Sequence, residues 1–152
     1  MKKKGRINSV KVEYDGHIFD SSTEYEFYVY MKYLRKEFGI KEIIIQPHYT
    51  LIESYEVKCW KCYGTGKVYN DKSKRENKCR RCDDGIVTKP SITFTPDFKI
   101  IYEDGREIIV DVKGFKGQDK GFNLRKRIFE SIHGREINIV RFVPSKGWVW
   151  ET

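Results

Sequence analysis

Apolar and polar positions alternate along Val10, Val12 and Tyr14, break at Asp15-Gly16, and resume at His17-Ile18-Phe19. A period of two on both sides of an Asp-Gly pair predicts a short hairpin. The period then changes. Asp20-Ser21-Ser22-Thr23-Glu24 carries the polar signature of a helix start, and Phe27, Tyr30, Met31, Leu34 and Phe38 follow at helical spacing as far as Gly39. Ile43-Ile44-Ile45 is a β-branched run that predicts a strand, and Tyr49-Thr50-Leu51-Ile52 predicts its continuation or another. Ile92 to Ile101 and Arg106 to Val112 read as two strands joined at Glu103-Asp104-Gly105. Phe122, Leu124, Ile128, Phe129 and Ile132 mark a second helix closed by Gly134, and Ile137 to Val143 a last strand. Helices interspersed with strands predict an α/β or α+β domain.

One stretch does not fit. From Tyr55 to about Pro90 the apolar period vanishes, and cysteine, glycine, lysine and arginine concentrate. Cys59-Trp60-Lys61-Cys62 and Cys79-Arg80-Arg81-Cys82 are two C-x-x-C pairs with sixteen residues between them. Each such turn aims two thiolates at one point, and two turns supply the tetrahedron that zinc takes. Gly64, Gly66 and Gly85 follow the pairs, where a tight backbone can turn amides toward sulfur. Two disulfides and an iron–sulfur cluster are the alternatives. Four protein ligands leave no open position, so the expected zinc is structural. Arg80 and Arg81 lie in a basic, aromatic flank that either grips phosphate or merely solvates the module.

The strands around Gly105 can be tested for chemistry. A two-residue Asp104-Gly105 turn would set Asp97 opposite Val112 and separate the acids. A three-residue loop, with Gly105 in the left-handed bulge position, sets Asp97 opposite Asp111. Cross-strand partners share a face, and Lys113 points the same way as Asp111. The same register gathers Phe98, Ile100, Ile108, Val110 and Val112 on the other face, so burial and chemistry select the bulged loop. Two aspartates and a lysine on one face suit phosphodiester hydrolysis. The acids would hold magnesium or manganese, and the lysine would hold hydroxide or stabilise the pentavalent phosphate. Glu24 lies toward the buried side of its helix, where a carboxylate needs a partner. Metal ligation and a Ser21-x-x-Glu24 capping box both explain it.

Charge adds a partner. Thirty Lys and Arg against 22 Asp and Glu give a formal +8, which attracts polyanions, of which nucleic acid is the usual one. Lys116, Lys120, Arg125, Lys126 and Arg127 cluster just after Lys113, where DNA phosphates would run. No apolar run reaches membrane-spanning length, and the basic N-terminus lacks a secretory pattern, so no membrane role is expected and the cytoplasm is the expected compartment. His17, His48 and His133 lie in unrelated places; helix capping explains His133.

Ser21-x-x-Glu24, Gln46-Pro47, Pro96-Asp97-Phe98, Asp111-Val112-Lys113-Gly114 and Phe122-x-Leu124-x-x-x-Ile128-Phe129 together resemble small phage-encoded PD-(D/E)XK nucleases. In motif order they are similar to endonuclease I type junction-resolving enzymes. The resemblance implies a restriction-endonuclease-like core, a central mixed sheet flanked by helices, formed by residues 1–54 and 91–152. Residues 55–90 would be a zinc-ribbon-like insertion, whose first pair resembles the C-x-x-C-x-G-x-G knuckle of DnaJ-type chaperones. It further implies that Glu24, Asp97 and Asp111 bind magnesium, that Lys113 serves the nucleophile and that Gln46 is an auxiliary polar residue. Asp111 departs from the commoner glutamate. The expected function is a metal-dependent endonuclease cutting DNA, including branched substrates such as Holliday junctions, in phage DNA metabolism; a two-fold junction would favour a homodimer. The alternative is a non-catalytic, zinc-containing nucleic-acid-binding protein on a decayed nuclease fold.

Overall fold

A computed structural model describes residues 10–114 and 120–151, residue 120 by its backbone alone. The elements run β1 (Val12–Tyr14), β2 (His17–Phe19), α1 (Ser22–Tyr33), β3 (Ile40–Ile45), β4 (Tyr49–Ile52), β5 (Tyr55–Lys58), β6 (Lys67–Asn70) and β7 (Arg75–Lys78). Then follow β8 (Ile86–Lys89), β9 (Ile92–Phe94), β10 (Phe98–Tyr102), β11 (Glu107–Val112), α2 (Lys120–His133), β12 (Ile137–Val143) and β13 (Gly147–Glu151). The content is mixed α+β. The chain divides into two units, residues 1–49 with 94–152, and residues 50–93.

The first unit is built on a five-stranded sheet in the order β13-β12-β11-β10-β3. It is mixed: β11 and β12 pair in parallel, and the other neighbours are antiparallel. Parallel neighbours need a long crossover, which contains α2. Side chains alternate across the sheet, so the even-numbered residues Phe98, Ile100, Val110 and Val112 share one face. There they pack with Phe19, Phe27, Tyr28 and Met31 into one buried cluster. Ile109 lies on the opposite face, beside Phe129 and His133 of α2. The sheet is therefore covered by a helix on each side.

Local signals explain the element ends. Asp15 and Gly16 both have positive φ, 56° and 75°, as a two-residue hairpin turn requires. Ser21 has extended backbone and its hydroxyl accepts the Glu24 amide at 3.2 Å, capping α1. Gly134, with φ 61°, donates its amide to Glu130 and closes α2.

Four expectations need correction. Ile92 to Ile101 is two strands, because Thr95-Pro96-Asp97 breaks the ladder and Pro96 has no amide to give it. Helix α1 stops at Tyr33; the chain continues as overlapping turns, so Phe38 lies outside the helix and is 45% exposed. Within α2, Phe122 and Phe129 are buried, seven residues apart, whereas Leu124 and Ile132 point to solvent. Val143 is not the end of the sheet, since β13 adds an edge strand carrying Trp148 and Trp150.

The second unit contains two short antiparallel pairs, β5 with β8 and β6 with β7, and β4 pairs with β9 at its boundary. It has little apolar interior beyond Cys59, Cys62 and Cys79, with Val68, Cys82 and Val87 against them. A group this small cannot offset the entropy of ordering the segment, and metal ligation is the usual remedy.

Candidate functional site

Tight turns bring the four cysteines together. Cys59 and Cys79 sulfurs lie 3.8 Å apart, Cys62 and Cys82 sulfurs 3.5 Å, and all four lie within 4.8 Å of one another. A tetrahedron with metal–sulfur bonds of about 2.3 Å has edges of about 3.8 Å. The cluster is thus compatible with a metal ion such as zinc. Burial opposes ionisation of Cys62, but hydrogen bonds from the Cys82 thiol and the Gly66 and Gly64 amides hold it down at about 6. Burial, together with Cys62 and Cys79, pushes Cys82 up to about 12. One thiolate forms readily and the next resists, the behaviour of a ligand set that needs a cation. The two knuckles interlock: the Cys59 amide bonds the Gly85 carbonyl at 2.8 Å, and the Cys79 amide bonds the Gly66 carbonyl at 2.7 Å. A Cβ at Gly85 would lie 2.1 Å from the Gly64 carbonyl oxygen, so only glycine fits there. Asp84, with φ 46°, lengthens the second knuckle by the extra residue that its sequence shows.

The hairpin of the first unit has the bulged form. Gly105 has φ 86° and donates to the Tyr102 carbonyl, and Tyr102 donates to Arg106 across a three-residue loop. Pairing runs from Phe98↔Val110 to Ile101↔Glu107; continued by one residue, it sets Asp97 opposite Asp111. Asp97 is anchored twice. Its carboxylate accepts the Val112 amide at 2.6 Å, and its carbonyl accepts the Gln46 amide at 2.8 Å. Asp111 is buried and its Oδ2 meets the Lys113 ammonium at 2.6 Å. That ammonium also lies 3.8 Å from the centre of the Phe122 ring, which fixes Lys113 on the α2 face.

Glu24 is buried at the first turn of α1. Its carboxylate accepts the Ser21 hydroxyl at 2.8 Å and the Asp20 amide at 3.1 Å. The capping contact is therefore real, but it reaches the amide of Asp20 rather than that of Ser21. Capping does not exhaust its environment. Burial raises the Glu24 pKa above its ordinary value against those two bonds, with smaller contributions from Asp20 and Asp111. Asp97 rises further, to about 8, through burial, then the charges of Asp111 and Glu24. Three carboxylates sense one another here with one ammonium among them. Among the described residues, the group of three or more ligand atoms gathered to hold an ion is the four cysteines rather than these acids.

Two polar residues extend this acidic corner. Asp20, absent from the sequence-based candidates, joins Lys11 at 3.0 Å and accepts Gln46 Nε2 at 3.4 Å. An acid directly before Ser-x-x-Glu was its visible signal. Gln46 itself holds a left-handed φ of 48° at the end of β3. Of the basic candidates, Lys116 and the Lys120 side chain fall outside the described residues. Lys126 is engaged with Glu130 four residues on, and Arg125 is half-buried. Arg80 is exposed, and Arg81 lies 5.1 Å over the Trp60 ring. His48 meets the Thr95 hydroxyl at 3.2 Å, and His133 packs on Phe129, neither reaching the acids.

Comparison with known families gives one match. The family described as Protein of unknown function (DUF1064) matches residues 4–146, nearly the whole chain. The chain belongs to this family. No curated protein and no solved structure matches it. The DUF1064 match runs across both units. Among the described residues no helix is long and apolar enough to cross a membrane.

Proposed function

We propose that this DUF1064 protein is a divalent-cation-dependent DNA endonuclease with a restriction-endonuclease-like core and a structural zinc in its cysteine unit. The observation that carries the reading is the hairpin register, which continued one residue past Phe98↔Val110 brings Asp97 opposite Asp111, with Lys113 two residues on. Asp97, at about 8, is the electrostatic counterpart: buried carboxylates outnumber the neighbouring ammonium, and a hard cation is the partner that would balance them. In that reading Asp97 and Asp111 hold the ion, and Glu24 completes its acidic surroundings while still capping α1. A bound magnesium would lower the pKa of an attacking water and neutralise charge on the phosphate. Lys113 stands beside Asp111, where its ammonium stabilises the hydroxide or the pentavalent phosphate. The Val112 amide keeps Asp97 oriented. Branched DNA, a phage setting and a homodimeric state follow only from the resemblance to junction-resolving nucleases.

Supercoiled plasmid and a four-way junction incubated with magnesium test this. Cutting by the wild type and its loss in Lys113→Ala and Asp97→Ala is the expected result; equal cutting by all three, or none with any metal, overturns it. A second reading is a non-catalytic nucleic-acid-binding protein on the same fold. It is favoured by one observation: among the described residues the group of ligand atoms gathered to hold an ion is the four cysteines, and Glu24, Asp97 and Asp111 form no such group. It expects salt-sensitive DNA binding that Lys113→Ala leaves intact.

A further inference from the structure

The cysteine unit carries more than a metal cluster. Two adjoining open grooves lie on it, of about 1160 Å³ and about 500 Å³, and both are lined by Lys61, Val68 and Tyr69. The larger adds Lys72, Lys78 and Arg80; the smaller adds Tyr63 and Lys67. Among the described residues no ion pair engages Lys61, Lys72 or Arg80. The β6–β7 hairpin sharpens the charge. Lys67 stands directly opposite Lys78 in the register, and like charges at that position destabilise a strand pair. Glu76 and Asp83 relieve them through contacts of 3.9 Å and 3.5 Å, both exposed and easily screened. An arriving anion would relieve them better.

The rings indicate which anion. Tyr69 lies on the same hairpin face as Lys67 and is 60% exposed, and Tyr63 is 88% exposed. Rings that far into water contribute little to folding the unit. Duplex DNA keeps its base faces stacked inside, so it would use the cations and leave the rings idle. Unpaired nucleotides present both a phosphate and a free base face, and alternating cations and rings are the chemistry that receives them.

We propose that the cysteine unit is a binding surface for single-stranded DNA, with phosphates on Lys61, Lys67, Lys78 and Arg80 and bases stacked on Tyr63 and Tyr69. This stands apart from the endonuclease reading, since it asks nothing of Asp97, Asp111 or Lys113.

The test uses the full chain carrying zinc, in buffer free of magnesium, with a fluorescent oligothymidylate of about 12 nucleotides and a duplex of equal length. Anisotropy is expected to show tighter binding of the single strand. Tyr69→Ala and Tyr63→Ala should each weaken it about 10-fold, while Tyr69→Phe, which keeps the ring, stays near wild type. Lys67→Ala and Arg80→Ala should each reduce the slope of log affinity against log salt by about 0.7. Zinc content and circular dichroism of every variant establish that the unit is folded. Duplex bound as tightly as oligothymidylate, no binding of oligothymidylate, or alanine variants matching wild type would overturn the proposal. Because the measurement is made without magnesium and reads binding alone, a failure here is distinguishable from a failure of the cleavage assay.

Discussion

Replacing Asp97 with asparagine removes one ionisable carboxyl from the acidic corner and almost nothing else. The asparagine carbonyl oxygen can still accept the Val112 amide. In the wild type the Asp97 pKa stands at about 8 against an ordinary 3.8. A folded-state carboxyl pKa above the unfolded one means that the native state binds the proton more tightly. The stability this group contributes is then complete below about pH 4 and disappears as pH rises to about 8. At about 1.4 kcal/mol per unit, the ceiling is about 6 kcal/mol. Relaxation and water entry around a half-buried group reduce the realised amount to about 2 kcal/mol. For a chain of this length that corresponds to about 5 °C in Tm. Asp97→Asn should therefore melt with the wild type near pH 4 and about 5 °C above it near pH 8, without divalent metal. Magnesium should raise the wild-type Tm near pH 8 and leave the variant unchanged, since ion binding to the native state is what it reports. Thermal circular dichroism across this range checks both. Parallel Tm curves for the two proteins, or equal stabilisation of both by magnesium, would refute the account of Asp97 as a carboxylate crowded by Asp111 and Glu24.

Other consequences are simpler to measure. Cys62→Ser, or a strong chelator, should unfold residues 50–93, seen as rapid amide exchange there; unchanged protection would mean that the sulfurs do not hold a structural metal. Gly85→Ala should do the same with all four cysteines present, because its Cβ meets the Gly64 carbonyl; normal zinc content would contradict that close approach. Ser21→Ala should cost about 1 kcal/mol in denaturant unfolding by uncapping α1 and freeing Glu24 from its hydroxyl partner. Ile100→Ala, at a fully buried position of the central sheet, should cost about 3 kcal/mol.

Much of the geometry of the candidate site is legible in the sequence, for a definite reason. Near Gly105 two demands coincide: only one loop length buries Phe98, Ile100 and Val110 together, and that loop also faces Asp97 toward Asp111. The cysteine spacing was equally readable, since metal ligation constrains short-range geometry. What escaped depended on longer range. Pro96 interrupts a run of strand-forming residues through a missing donor that hydrophobic period does not register. Leu124 and Ile132 follow helical spacing, but Phe122 and Phe129 decide which side of α2 turns inward. Trp148 and Trp150 alternate as a strand should, yet a five-residue edge has no flanking signal apart from Gly147. Asp20 also holds Glu24 through its backbone amide, a contact that residue type does not encode.

The distribution of tryptophan gives the molecule an internal optical label. Trp60 is in the cysteine unit under Arg81, whereas Trp148 and Trp150 pack on Phe27 from the edge strand of the large sheet, and the chain has three tryptophans in all. A Trp60→Phe chain would therefore emit only from the sheet, and a chain lacking the other two would emit only from the metal-binding segment. The order in which the two halves melt could then be followed by intrinsic emission, with no dye attached.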